Sequence, residues 1–216
     1  MLEPAAARPR VVLASTSRYR RTLLEQLVAE FEVVAPAVDE RSFDGNLPRL
    51  GAAGLAAELA EAKARSAREQ LLARRPPAAP GFVVLGADQL AVIGSSPHQR
   101  LLSKPGSAEA AVRQLLSLAG RAHDLVNGLC LLGPGPDDRR LVSDVHRVRM
   151  RSFTRAEAQE YVERCRPFDC VGSYRIEDDA DLIAEVEGSG RSGIIGLPLP
   201  AVRELLESAG VRCRPG

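Results

Sequence analysis

The chain of 216 residues has no tryptophan and few other aromatics, three Tyr and five Phe. That scarcity removes the interleaved stacking platforms on which single-stranded nucleic acids are held. It also lacks an excess of charge. Lys and Arg total 29 against 28 Asp and Glu, a formal net charge of +1, which excludes a protein that coats nucleic acid through bulk electrostatics. No apolar run approaches the ~20 residues of a membrane helix. No apolar stretch follows the two arginines of residues 1–10, so a signal peptide is not expected there and the cytoplasm is the expected home. The four cysteines, Cys130, Cys165, Cys170 and Cys213, are too sparse for a disulfide scaffold. Cys165 and Cys170 have no second pair or His cluster at zinc spacing, so reduced, structural thiols are expected. Neither a P-loop nor a GxGxxG fingerprint occurs.

What remains is an ordinary globular composition, 45% hydrophobic and 26% charged, able to bury one core as a single domain or two closely packed lobes. Residues 1–10 read as a disordered leader and 11–212 as one domain. Residues 11–14 predict a short buried strand, followed by a helix capped by Ser17 with Leu23, Leu24, Leu27, Val28 and Phe31 on one face. Residues 31–38 read as extended, 39–50 as a loop, and 54–75 as a long helix stopped by Pro76-Pro77. Residues 82–86 predict a core strand and 94–105 a loop. Ser107 caps a helix that ends at Gly120.

Strands dominate afterwards, over 124–132 and 141–153, with a turn at 133–136. In the second of these His146, Val148 and Met150 alternate with Arg147, Arg149 and Arg151. Thr154 and Glu157 form a capping box. Residues 166–180 read as loop, 181–187 as a strand, and Pro198 and Pro200 open a last helix ending near Gly210. The order predicts an α/β protein with a mixed sheet.

The most informative segment is Val-Val-Leu-Ala-Ser-Thr-Ser-Arg-Tyr-Arg-Arg at 11–21. Three arginines, Arg18, Arg20 and Arg21, fall in the first turn of a helix, where the dipole disfavours cations. An anion bound at this turn accounts for them: free backbone N–H groups, the Ser15 and Ser17 hydroxyls and the guanidinium forks would converge on phosphate oxygens. A solvated basic patch is the competing reading. Asp88 follows the apolar run 83–87, at the expected carboxyl end of a core strand, where α/β ligands bind. It could hold Mg²⁺, accept a proton from water, or form a helix cap or loop salt bridge. Lys63 continues the Leu55, Leu59 stripe of its helix and either snorkels or points into a site. Lys104-Pro105 precedes a helix and suits phosphate contact. His123 and His146 lack a nucleophile arrangement, so general-base chemistry is not expected of them, and His146 lies on the apolar side of its strand. Asn127-Gly128 has hairpin-turn chemistry but lies in apolar sequence.

Taken in order, Leu13-Ala14-Ser15-Thr16-Ser17 with Arg20-Arg21, Val38-Asp39-Glu40, Glu61-Ala62-Lys63-Ala64, Gly86-Ala87-Asp88-Gln89, Lys104-Pro105, Gly172-Ser173-Tyr174 and Gly196-Leu197-Pro198 resemble the Maf family of nucleoside triphosphate pyrophosphatases. The resemblance implies a mixed, twisted sheet flanked by helices, Maf/ITPase-like, with a cleft between two lobes. It implies cleavage of a nucleotide between its α and β phosphates with a divalent cation, Mg or Mn. It assigns phosphate binding to Ser15, Arg20, Arg21, Lys63 and Lys104, metal binding to Glu40 and Asp88, and proton acceptance to Asp88. It further implies a small-molecule nucleotide partner, no nucleic acid and no membrane, with a homodimer left open.

Tyr19, Gln89 and Glu177 resemble the branch acting on 7-methyl-GTP: Tyr19 would stack on the cationic base and Glu177 would accept from its Watson–Crick edge. The alternatives are the UTP/dTTP branch or a nucleotide-sensing regulator of cell division. Arg18, Ser103, Asn127 and Asp178 depart from the family pattern, where Pro, Gly, Thr and Gly are usual.

Overall fold

The apolar run near the N-terminus forms β1 (Arg10–Ala14), buried on both faces except at its first residue. A computed structural model describes residues 9–74, 81–95, 98–135, 137–177 and 182–215. After β1 come α1 (Arg18–Glu25), β2 (Phe31–Val33), a 3-10 turn (Glu40–Asn46), α2 (Leu47–Arg74), β3 (Phe82–Ile93), β4 (Arg100–Leu102), α3 (Ala108–Leu118), β5 (Ala122–Leu132) and β6 (Arg139–Met150). Then follow α4 (Arg155–Cys165), a short 3-10 turn (Val171–Ser173), β7 (Ile183–Glu187), α5 (Arg191–Ile195) and α6 (Leu199–Ser208). The strands make one seven-stranded sheet, ordered β2-β1-β3-β5-β6-β7, with β4 on β3. β1 runs parallel to β2 and β3. The β3–β4, β3–β5, β5–β6 and β6–β7 pairs are antiparallel. The sheet is mixed, as expected.

The ends of the helices follow from local chemistry. The Ser17 hydroxyl accepts from the Arg20 N–H at 3.4 Å, and Ser107 caps α3 in the same way through the Ala110 N–H. Thr154 and Glu157 form the reciprocal box at the start of α4. The helix α2 lays Ala52, Leu55, Ala56, Leu59, Ala60, Lys63, Ala64, Ala67 and Leu71 on the sheet, a 3.6-residue stripe built mainly of alanine. Small side chains let the helix approach closely, and the strands answer with glycine. A Cβ at Gly86 would collide with the Ala60 carbonyl oxygen, and one at Gly128 with the Ala56 carbonyl.

The apolar interior divides at mid-strand. One core gathers Leu13, Leu24, Leu85, Leu129 and Leu206, and a second layer under α2 holds Val12, Ala60, Ala64, Val84 and Cys130. At the other end Ala91, Leu115, Leu125, Met150, Val162 and Tyr174 form a separate core. Between them the β3–β5 ladder pairs Asp88 with Gly128 and Gln89 with Asn127. This polar waist is where the long strands pass from one lobe to the other.

Several boundaries differ from the sequence expectation. The strand expected over 82–86 continues to Ile93, because antiparallel pairing with β5 carries it through the polar pair. Asp88 therefore lies within a strand, not at its end. Residues 39–50 hold the 3-10 turn and the start of α2, which is interrupted at Gly51, with φ 66°. The expected loop 94–105 contains β4. The extended stretch 31–38 pairs as a strand only over Phe31–Val33. Asn127-Gly128 makes no hairpin turn and sits inside β5. The leader apart from residues 9 and 10, the Pro76-Pro77 stop, Pro136 and Asp178 lie outside the described residues.

Candidate active site

Lys63 is a lysine on an apolar stripe, and its side chain ends at the waist. It is 5% exposed, as is Asp88. Lys63 Nζ donates to Asp88 Oδ1 at 2.5 Å and reaches Glu40 Oε1 at 2.7 Å. Glu40 is delivered by the 3-10 turn, which Asp39 caps by accepting from the Arg41 N–H. Removing an ammonium and a carboxylate from water costs several kcal/mol per ion, so such a pair is a poor way to stabilise a fold. Its position between two hydrophobic cores makes it the candidate site.

The electrostatics around Glu40 gather further groups. Burial pushes its pKa up, but the Lys63 hydrogen bond and the charges of Lys63, Lys104 and Arg20 outweigh this and hold the carboxyl below its usual value. Arg20 and Lys104, which stand 84 positions apart in the sequence, thus act on the same carboxylate. Arg20 lies on α1 and its Nε donates to the Gly196 carbonyl at 3.0 Å. Lys104 is exposed just beyond β4. Ser15 is buried at the end of β1, and its hydroxyl accepts from the Ser17 N–H at 3.1 Å. Arg21 lies apart from this cluster, on the outer side of α1, where it pairs with Glu25.

Gln89 is tied to a strap, residues 188–196. Its Nε2 donates to the Gly193 carbonyl at 2.8 Å and the Ile194 carbonyl at 3.1 Å. Asn127, buried completely, donates to the same Gly193 oxygen at 2.9 Å. The sequence alone did not single out Asn127 as part of the site, nor α5. The signals were a polar side chain inside an apolar strand and a departure from the Thr usual at that place in the family. Tyr19 is half-buried on α1. The Arg18 guanidinium lies 4.7 Å from its ring centroid and donates to its hydroxyl at 2.7 Å, so the ring already attracts a cation. Glu177 is exposed in the turn after Tyr174.

The remaining candidates resolve structurally. Both His123 and His146 are buried. The arginine face of β6 is matched by acids, Arg147 facing Asp124 and Arg149 facing Glu185, and just past the strand Arg151 pairs with Glu157. All four cysteines are free thiols. Among the described residues no helix is long and apolar enough to cross a membrane.

The donor set bears on a metal. Among the described residues no group of three or more His, Cys, Asp or Glu converges as a cage. Glu40 and Asp88, meeting on one ammonium, offer two carboxylates. That suits a hard cation such as Mg²⁺, which binds through one or two carboxylates and completes its shell with substrate phosphates and water. Three cations and two carboxylates at one waist can bind a polyphosphate and place a cation beside it.

Comparison with known proteins agrees with this chemistry. The family profile described as Maf-like protein matches residues 10–209. A protein of Nitrosococcus oceani named 7-methyl-GTP pyrophosphatase is 36% identical over 208 residues, 96% of each chain. Proteins of the same name from Burkholderia thailandensis, 36% identical over 97% of this chain and 92% of theirs, and Bdellovibrio bacteriovorus, 35% identical over 93% and 97%, are also similar.

Proposed function

Because this chain belongs to the Maf family, we propose that it is a pyrophosphatase that hydrolyses 7-methyl-GTP to 7-methyl-GMP and pyrophosphate. The observation that carries this reading is the buried Lys63 ammonium held between Asp88 and Glu40, with Arg20 and Lys104 acting on the same carboxylate. The name borne by relatives over nearly the whole chain supports the choice of substrate. Residues 11–212 act as one domain, and the enzyme works in the cytoplasm.

Arg20, Lys63 and Lys104 bind the phosphate chain with Ser15 at the helix start, and Arg21, paired with Glu25 outside the cluster, adds positive charge at its edge. In such a reaction the protein mainly positions groups and neutralises charge. Asp88 accepts the proton of the attacking water, or would instead serve as one of the residues that hold the cation. Lys104 balances the charge on the departing pyrophosphate. Glu40 and Asp88 would hold a Mg²⁺ or Mn²⁺ ion. That ion, when bound, supplies Lewis-acid polarisation of a phosphoryl oxygen. Tyr19 stacks on the base, Gln89 braces the strap, and Glu177 accepts from the guanine edge.

A panel of nucleotides with Mg²⁺ or Mn²⁺, scored for pyrophosphate release, tests this. The expected result is preference for 7-methyl-GTP. Asp88→Asn should lower turnover by about 10²- to 10⁴-fold, the range of a general base, with the fold retained by circular dichroism. Faster turnover of UTP or dTTP would reassign the branch. Release from no nucleotide by the folded protein would overturn the activity.

A further inference from the structure

His146 takes no part in the chemistry above, yet it is completely buried in a strand whose neighbouring positions are exposed. Its ring lies beneath the 188–196 strap. Nε2 is 2.9 Å from the Gly190 carbonyl oxygen. A carbonyl only accepts, so Nε2 carries the proton and donates. Nδ1 lies 3.2 Å from Asp144 Oδ2 without hydrogen-bond alignment, and the same oxygen accepts from the Ser189 hydroxyl at 3.0 Å. The strap is shaped to the ring. A Cβ at Gly188 would collide with Cδ2 and Cγ of His146, and one at Gly193 with Cε1 and Nε2. Side-chain bonds to Gly190 and Ser189 and contact at two glycines thus fix the strap from below.

The upper side of that strap faces the site. Gly193 and Ile194 offer their carbonyls to Gln89 and Asn127, and Gly196 offers its carbonyl to Arg20 Nε. Arg20 is the guanidinium that acts on Glu40. A continuous chain of contacts therefore runs from β6 through the strap to α1.

We propose that His146 is a positioning residue, which seats the 188–196 strap and through the Gly196 carbonyl fixes the direction of the Arg20 guanidinium. In the terms of the pyrophosphatase reading, on which this rests, His146 governs phosphate affinity without touching the nucleotide. A guanidinium fork binds phosphate well only when its plane is fixed beforehand.

The test uses the full chain and two kinds of readout. The first needs no activity. The Arg20 Nε–H, bonded to a carbonyl, gives an exchange-protected ¹⁵N signal, assigned by its loss in Arg20→Lys. His146→Ala should abolish that protection, whereas His146→Gln, whose amide can donate to Gly190, should retain it. The second is kinetic. His146→Ala should raise KM for the nucleotide about tenfold with kcat within about threefold, His146→Gln should restore KM, and His146→Ala should add nothing in an Arg20→Ala background. An Arg20 signal unchanged in His146→Ala overturns the proposal, as does an equal KM effect with and without Arg20. If His146→Ala does not fold, His146→Phe, which fills the ring's space but cannot donate to the Gly190 carbonyl, takes its place, and the same Arg20 readout decides. Loss of Arg20 protection in a protein that releases no pyrophosphate would leave the strap coupling intact and refute only the activity.

Discussion

His123 shows how a single buried group sets a pH limit. It is 2% exposed, Nε2 meets the Tyr174 hydroxyl at 2.8 Å, and Nδ1 has no hydrogen-bond partner. Burial pushes its pKa down from 6.5 to about 4. The folded state therefore keeps a neutral ring while the unfolded chain takes a proton first. The stability is complete above about pH 6.5 and is lost as the pH falls towards 4, amounting to about 3 kcal/mol in full. Urea unfolding followed from neutral pH to about pH 4.5 should show this slope, and His123→Gln should flatten it. A slope unchanged by the substitution would assign the loss to carboxylates instead. That His146 is a core residue was legible in the sequence, that His123 is one was not, and the oddity of Lys63 was legible, since an ammonium on an alanine and leucine stripe has few places to go. Asn127 was not legible: its partner is a carbonyl 66 positions away, and no local pattern encodes that distance.

Helix α2 and the strands beneath it are matched by subtraction of side chains. Gly128 meets the Ala56 carbonyl so closely that a methyl group there has no space. Gly128→Ala should destabilise the fold by about 2–3 kcal/mol or more, as overpacking against backbone does, read as a lower urea midpoint at constant slope. Because α2 also carries Lys63, the same variant should weaken nucleotide affinity. Helix existence and capping were readable, as Ser17, Ser107 and Thr154 show. Strand length was not. A run that turns polar at Asp88 and Gln89 looks finished in isolation, and only its partner β5 shows that it continues.

Across the whole molecule, two apolar cores share three long strands and leave their polar residues at the junction. The family resemblance anticipated two lobes. Composition alone could not locate the junction, because an average charge says nothing about where cations meet. At an ionic strength of about 0.1 M, charges are screened beyond ~10 Å. Raising salt from about 0.05 to 0.5 M should therefore increase KM for the nucleotide several-fold while leaving kcat nearly constant. A KM indifferent to salt would count against a cationic site. The junction also has an internal charge balance. Lys63 meets Glu40 and Asp88, while Arg20 and Lys104 act on Glu40, so three positive groups answer two negative ones and a single charge is left over. One spare charge falls short of a triphosphate. Under the proposed activity most of the neutralisation would arrive with the ligand, the nucleotide and its counterion taken up as a single cargo.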